Sequence, residues 1–434
     1  MNAPFEAAKA IGPDAASEAI PDHEIAVIGL GYIGLPTAAV LATRGWRVCG
    51  VDVSQSVIET VNAGRVHIEE RDLDGLVREA VASEQLVASL EVPTAHFYMI
   101  AVPTPLGADN APDIASVEAA ARAIAPKLLP GACVIVESTS PVGTTESVAE
   151  IIAGVRPDLA VPRFGDREGG DIALAYCPER VLPGRIVTEL VYNDRVIGGI
   201  TPDCAGRAAA LYHSFVKGDC LVTNARIAET VKLVENSFRD VNIAFANELS
   251  MIADAMEIDV WEVIRLANRH PRVNVLQPGP GVGGHCIAVD PWFLVSGAPD
   301  KARLIRTARE VNDHKAIHTE ERIRKQLRAA RYGKAALLGL AFKPDIDDFR
   351  ESPALEISTS LARDLGERIL VVEPFAEQLP DELAGTGAKL VTLDAALREA
   401  EIVVVLVDHT AFRHLTPEDL SGHIVYDTRG MLKR

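Results

Sequence analysis

Ile25-Ala-Val-Ile-Gly-Leu-Gly-Tyr-Ile-Gly-Leu-Pro36 decides the fold of this chain. The apolar run Ile25 to Leu30 reads as a strand, and Ile33 to Thr43, rich in Ala and Leu, reads as a helix. Between them Gly29, Gly31 and Gly34 take the spacing G-x-G-x-x-G, with Tyr32 and Ile33 inside the turn. Gly29 permits the tight turn, Gly31 lets a pyrophosphate approach, and Gly34 allows the helix to pack close to the strand. The N-terminus of the helix then favours the phosphate charge. A second strand, Arg47 to Val51, ends in Asp52, 18 residues beyond Gly34, where a carboxylate can accept from an adenosine ribose hydroxyl. Together these residues predict a dinucleotide site. The acid selects NAD over NADP, whose 2′-phosphate it would repel.

Outward from that unit the alternation continues. His96 to Ala101 and Cys133 to Glu137 read as further strands, with a helical Ser116 to Leu128 between them. Such alternation predicts a doubly wound parallel sheet. Thr223 to Ala267 has few Gly or Pro and reads as long helices, with Val231, Val234, Phe238, Val241 and Phe245 at helical spacing, a stripe that suits a core or a dimer seam. Strands return at Ala335 to Leu340, Ile369 to Val372, Ile402 to Val407 and Ile424 to Asp427. The expected fold class is α/β: two Rossmann-like, doubly wound parallel-sheet domains joined by a helical central domain.

Lys and Arg number 43 against 61 Asp and Glu, a formal net charge of −18, which opposes a nucleic-acid or anionic-membrane surface. The six cysteines, at 49, 133, 177, 204, 220 and 286, form no Cys-x-x-Cys pair, so no metal centre is expected and a reducing cytoplasm fits. The longest purely aliphatic run, Ile402 to Val407, is six residues, against the roughly 20 that span a bilayer. Residues 1–22, rich in Ala and Pro and with acids scattered through them, read as a loose tail and not as a signal peptide.

Five segments carry candidate chemistry. In Gln277-Pro-Gly-Pro-Gly-Val-Gly-Gly-His-Cys-Ile-Ala-Val-Asp-Pro291, four glycines that can take φ > 0 and approach a ligand lead into Cys286, a candidate nucleophile, with Asp290 four residues on. Lys232 and Asn236, spaced i, i+4, share one helix face; a solvated polar face is the plain alternative. Ser138-Thr-Ser-Pro-Val-Gly143 follows a strand at the sheet's C-terminal edge, where ligands bind in open α/β folds, and an ordinary capping loop would look the same. Cys177-Pro-Glu-Arg180 follows the apolar run Ile172 to Tyr176 and reads equally as a surface turn. Phe342-Lys-Pro-Asp-Ile-Asp-Asp-Phe-Arg-Glu-Ser-Pro353 follows the first strand of the last domain; Ser352 and Pro353 make an N-cap and N1 pair, and Lys343 and Arg350 can contact phosphates. That domain has no G-x-G-x-x-G, so a nucleotide there must be held differently.

In this order the motifs resemble those of the UDP-glucose/GDP-mannose dehydrogenase family, the UDP-sugar 6-dehydrogenases, from Glu24 to the C-terminus. Three stretches are most similar to the UDP-N-acetylmannosamine branch: Cys177 to Gly184 with Asn193 to Gly199, Glu235 to Asn247, and Asn268 to Asn274. The resemblance implies domains at 23–212 (NAD-binding), 213–318 (central, helical, dimerising) and 319–434 (UDP-sugar-binding), and a homodimer. It implies oxidation of a sugar C6 alcohol to a carboxylate with two NAD⁺ per turnover. Cys286 matches the family nucleophile, which makes the intermediate aldehyde oxidisable through a thiohemiacetal and a thioester. Lys232 and Asn236 match residues that stabilise the oxyanion and touch substrate, with Lys232 and Asp290 also implicated in proton transfer; Glu179 matches a carboxylate near the reacting centre. Thr104, Thr139 and Arg350 match cofactor contacts. Arg180, Gly283 and Lys343 match substrate contacts. Arg269 and Arg272 lie in the segment that reaches the substrate across the dimer. Sister enzymes acting on UDP-N-acetylglucosamine or UDP-glucose share most of these motifs. A single-step hydroxyacid dehydrogenase needs no thiol, and an inactive NAD-binding scaffold would be expected to have lost the thiol, the lysine or the asparagine.

Overall fold

The computed structural model describes residues 23–166, 169–182, 184–284, 286–330 and 333–433; the tail read at 1–22 lies outside them. The chain forms two compact units, one ending at Val234 and the other beginning at Glu235.

The first unit is built on an eight-stranded sheet, ordered β3-β2-β1-β4-β5-β6-β7-β8. Its strands are β1 (Ile25–Ile28), β2 (Val48–Val51), β3 (Leu86–Ser89), β4 (Phe97–Ile100), β5 (Cys133–Val136), β6 (Ala173–Tyr176), β7 (Arg195–Gly199) and β8 (Cys220–Asn224). Every residue of β1, β2, β5 and β6 is buried, as expected of a parallel sheet covered on both faces, where an alternating pattern gives way to continuous apolar runs. Each Ile or Val so enclosed contributes on the order of 1.5–3 kcal/mol. Neighbours pair in parallel except β6 and β7, which meet antiparallel at Ala175–Gly199 and Tyr176–Gly198. The strand order reverses between β1 and β4, and the Gly29–Gly34 turn leaves the sheet there.

The second unit carries a five-stranded parallel sheet, ordered β11-β10-β9-β12-β13. Its strands are β9 (Ala335–Leu338), β10 (Ile369–Val372), β11 (Lys389–Leu390), β12 (Ile402–Val405) and β13 (Ile424–Asp427). Its switch point lies between β9 and β12.

The helical middle begins at Ala225, since Thr223 and Asn224 belong to β8. One helix runs Ala225–Ala255 and a second Val260–Ala267. The break has no Gly or Pro. Glu257 adopts φ 56°, and Asp259 caps the second helix by accepting from the Trp261 N–H at 3.0 Å. Along the long helix Val234 (48% exposed), Phe238 (68%) and Phe245 (57%) face outward, so the stripe is not core of this chain. No helix among the described residues is long and apolar enough to cross a membrane.

Candidate active site

The turn after β1 is built for close approach. Gly29 has φ +93°, and a Cβ there would sit 2.6 Å from the Ala101 carbonyl oxygen. A Cβ on Gly34 would fall 1.8 Å from the Gly29 oxygen, so only glycine lets the helix Gly34–Thr43 start where it does. Gly31 is exposed, and its Cβ direction is open to at least 4 Å. No side chain caps this helix, which leaves its N-terminus available to an anion. Asp52 accepts from the Leu30 N–H and the Ser54 N–H, both at 2.9 Å, and so stands fixed at the rim while half-buried. Tyr32 is exposed and Ile33 half-buried. Across the switch point the Thr104 hydroxyl donates to the Thr139 carbonyl at 2.6 Å, bringing these two predicted cofactor residues together. These features fit NAD: an open phosphate cradle with an acid at the ribose position.

The Ser138–Gly143 loop fits both of its readings. Thr139 lines the sheet edge, while Gly143 (φ +99°) opens the helix Thr144–Val155. That helix N-terminus is filled by the protein itself. The Glu229 carboxylate accepts from the Gly143 N–H (2.7 Å), the Thr145 N–H (2.9 Å) and the Thr145 hydroxyl (2.7 Å). Burial holds the Glu229 pKa above the usual range despite these bonds. Glu229 lies three residues before Lys232 on the long helix, so it fixes the start of that helix against the Thr139 loop. No motif in the sequence pointed to it.

Glu179 is no surface turn. It is buried (6% exposed) and accepts from Arg195 Nη1 at 2.7 Å and from the Arg180 N–H at 2.7 Å. Arg195, itself 1% exposed, also donates to the Leu190 carbonyl. Arg180 is half-buried, its guanidinium donating to the Asp194 carbonyl at 3.3 Å. Nearby, Glu137 accepts from the Tyr212 hydroxyl at 2.6 Å, and burial, with Glu179 adding to it, pushes its pKa up to about 7.

In the long helix Lys232 and Asn236 are both 9% exposed, so their shared face is buried and not a solvated one. The structure brings Asn236 to Asp290: the amide Nδ2 donates to the carboxylate at 2.5 Å, and Asp290 is 2% exposed. Asp290 begins the helix Asp290–Gly297, and its N–H donates to the Cys286 carbonyl at 2.9 Å. Cys286 is exposed, in contrast to the buried Cys49, Cys133, Cys177 and Cys204. The glycines before it serve differently from the expectation. Of Gly279, Gly281, Gly283 and Gly284 only Gly284 takes a positive φ (+85°). A Cβ on Gly283 would lie 2.3 Å from the Glu351 oxygen, and one on Gly281 2.8 Å from Pro353 Cβ. Their smallness therefore seats this segment against the Phe342–Pro353 loop, within van der Waals reach of protein.

That loop holds Lys343, half-buried, and Arg350, which is exposed and forms a two-pronged pair with Asp348 at 2.8 and 2.7 Å. Arg269 and Arg272 are both exposed, on a loop pinned at its neck by Asn268, whose side chain bonds the Val275 N–H (2.7 Å) and carbonyl (3.0 Å). A further buried network went unread in the sequence. Asp240 accepts from Arg309 (2.6 Å) and Asn312 (2.8 Å), Asn247 donates to Asn312 (2.8 Å), and the Gly279 N–H donates to Asn247 (2.9 Å). It ties the long helix to the start of the thiol segment, with nothing in the local sequence to mark it.

Three sequence models of the UDP-glucose/GDP-mannose dehydrogenase family match the chain: its NAD binding domain over residues 23–216, its central domain over 226–314 and its UDP binding domain over 336–434. A protein of Ralstonia nicotianae named NDP-N-acetyl-D-galactosaminuronic acid dehydrogenase is 55% identical over 407 residues, covering 94% of this chain and 96% of the relative. The UDP-N-acetyl-D-mannosamine dehydrogenase of Yersinia pestis is 55% identical over 418 residues, covering 94% and 98%. Among solved structures, the UDP-D-ManNAc dehydrogenase of Pyrococcus horikoshii superposes with a TM-score of 0.82 at 38% identity, covering 95% of this chain and 96% of that one.

Proposed function

Because the chain belongs to the UDP-glucose/GDP-mannose dehydrogenase family, we propose that it oxidises UDP-N-acetyl-D-mannosamine at C6 to the uronic acid in the cytoplasm, for a surface polysaccharide. The observation that carries the mechanism is the exposed Cys286 one turn ahead of a buried Asp290 that is hydrogen-bonded to Asn236. NAD bound at the Gly29–Gly34 turn supplies the hydride acceptor for each of two oxidations.

The remaining work falls to the chain's own side chains. The C6 alcohol gives up a hydride and a proton to become an aldehyde. The Cys286 thiolate adds to the aldehyde carbon, giving a thiohemiacetal that loses a second hydride and proton to become a thioester. Water attacks the thioester carbonyl, the C–S bond breaks, and the carboxylate leaves with the thiol restored. Lys232 and Asn236 stabilise the oxyanion at each tetrahedral stage. Lys232 and Asp290 move protons through water, and Glu179, fixed by Arg195, stands near the reacting centre. Asp52, Thr104, Thr139 and Arg350 hold the cofactor. Arg180, Gly283 and Lys343 hold the UDP-sugar, joined by Arg269 or Arg272 from a second subunit. The exposed Val234, Phe238 and Phe245 stripe is the seam of that homodimer.

The 55% identity to a galactosaminuronic acid dehydrogenase favours a second reading, in which the sugar is an N-acetylgalactosamine. NADH absorbance with a panel of UDP-N-acetylmannosamine, UDP-N-acetylgalactosamine, UDP-N-acetylglucosamine and UDP-glucose separates the two. The mechanism predicts two NADH per sugar acid, and Cys286→Ser should cut acid production by orders of magnitude. A ratio of one, or near-normal acid from the variant, would sink the thioester route.

A further inference from the structure

In the second unit the strand order reverses between β9 and β12, and ligands of open α/β sheets bind in the crevice at such a point. Lys343 lies in the loop that leaves β9. The chain that leaves β12 reaches His409, which is completely buried (0% exposed) between Phe375 and Phe412, with ring centroids 5.2 and 5.5 Å away. A fully buried imidazole beside an exposed loop needs a reason, since a Phe or Leu would fill the space without the cost of burying polar atoms.

Its two nitrogens supply that reason. Nδ1 accepts from the Asp345 N–H at 3.0 Å, so the ring proton must sit on Nε2. Nε2, which carries that proton, lies 3.3 Å from Glu373 Oε2, a close polar contact to a carboxylate and not a well-aligned hydrogen bond. Glu373 is anchored in turn by the Leu340 N–H at 2.6 Å and the Phe375 N–H at 3.0 Å. The loop answers from its own side: the Asp345 carboxylate accepts from the Thr410 N–H (2.8 Å) and hydroxyl (2.6 Å). Asp345 pays for this clamp with φ +61°, a conformation that a non-glycine residue rarely keeps unless its surroundings hold it. The clamp thus joins the ends of β9, β10 and β12 to a residue two positions from Lys343.

We propose that His409, anchored by Glu373, is a positioning residue for the UDP-sugar: it holds the Asp345 turn, and with it Lys343, across the switch point of the five-stranded sheet. The inference rests on the reading that Lys343 contacts the nucleotide of the substrate.

Steady-state kinetics with calorimetric titration of UDP test it, using Lys343→Ala to test the underlying reading alone. His409→Phe keeps the ring and removes both nitrogens; it should raise KM for the UDP-sugar and Kd for UDP about tenfold, with KM for NAD within twofold of wild type. His409→Asn places an amide oxygen near the Nδ1 position and should restore UDP affinity to within about threefold, whereas His409→Gln, which reaches past it, should not. Thr410→Val, a near-isosteric change at an exposed position, should give a smaller loss of the same kind, and it carries the test if His409→Phe does not fold. An unchanged UDP Kd in folded His409→Phe and in Thr410→Val overturns the proposal if Lys343→Ala weakens UDP. Equal rises in both KM values, without rescue by His409→Asn, also overturn it, because they report general loosening. If Lys343→Ala itself leaves UDP binding unchanged, the reading of Lys343 fails first.

Discussion

The two sheets open with the same local design and then part. In the first unit β1 ends at Gly29 (φ +93°), whose N–H donates to the Val51 carbonyl at 2.7 Å; Asp52 follows β2 and accepts from the Leu30 and Ser54 N–H groups. In the second, β9 ends at Gly339 (φ +92°), whose N–H donates to the Val372 carbonyl at 2.9 Å; Glu373 follows β10 and accepts from the Leu340 and Phe375 N–H groups. The difference begins after the glycine. The first helix starts at Gly34, close to the strand, with no side-chain cap; the second starts at Pro353, capped by the Ser352 hydroxyl. A short turn leaves backbone N–H groups to receive a pyrophosphate. A long loop removes the helix end, so a nucleotide there must be met by side chains, of which Lys343 is the one proposed above. One scaffold thereby holds two nucleotides by two means.

The largest test is to break the short turn. Gly34→Ala puts a Cβ 1.8 Å from the Gly29 oxygen, so the helix cannot keep its place against the strand. NADH production should fall below detection, while calorimetry on the same protein should still show UDP binding, because the second site does not use that turn. A variant with wild-type KM for NAD would mean the cradle is elsewhere.

The paired acids come next. Asp52 is half-exposed and Glu373 is 5% exposed and sealed by His409. Asp52→Ala should raise KM for NAD about tenfold or more through the lost ribose contact, with little change in Tm, since water can reach the freed N–H groups. Glu373→Ala strands two backbone donors and a buried imidazole, and should cost on the order of 2–4 kcal/mol, read as a lower Tm in thermal denaturation. If Asp52→Ala lowers Tm as much as Glu373→Ala and spares NAD, the two acids do not differ as described.

This contrast also marks what the sequence could tell. Strand, turn glycines, helix and Asp52 were legible because each is local: apolar periodicity, a fixed spacing, one acid at a strand end. Cys286, Lys232 and Asn236 could be nominated as a set only by their order along the chain. Glu373 and His409 were not, since their meaning depends on three strand ends converging: Glu373 lies 33 residues from Leu340 and His409 lies 64 from Asp345, by routes no local pattern records. The same holds for Glu229, Arg195 and the Asp240–Arg309–Asn312 network, where burial alone turns ordinary charged residues into braces. The helix break at Met256–Asp259 left one readable sign, Asp259 three residues ahead of Glu262, a capping pattern that the apolar stripe running past it obscured.

The smallest expected effect lies one strand further from each switch point. After β5 the Glu137 N–H donates to the Ile100 carbonyl; after β13 the Thr428 N–H donates to the Val405 carbonyl. The first unit therefore has a buried carboxyl where the second has a hydroxyl. Glu137 is held at a pKa of about 7 by burial first, then by Glu179, against the Tyr212 hydroxyl and Arg195, which lower it. Because the folded pKa lies above the unfolded value, the native state keeps a proton that the unfolded chain has already released between pH 4.5 and 7. Stability must then fall as pH rises through that window and level off above it, by about 3 kcal/mol at most. Glu137→Gln keeps the shape and the acceptor for Tyr212 but has nothing to titrate. Its Tm should match wild type near pH 4.5 and exceed it by a few degrees at pH 8, while Thr428→Val should shift Tm equally at both. Parallel Tm curves for Glu137→Gln and wild type across the range would mean that Glu137 is ionised in the native state, with Arg195 and Tyr212 together outweighing its burial.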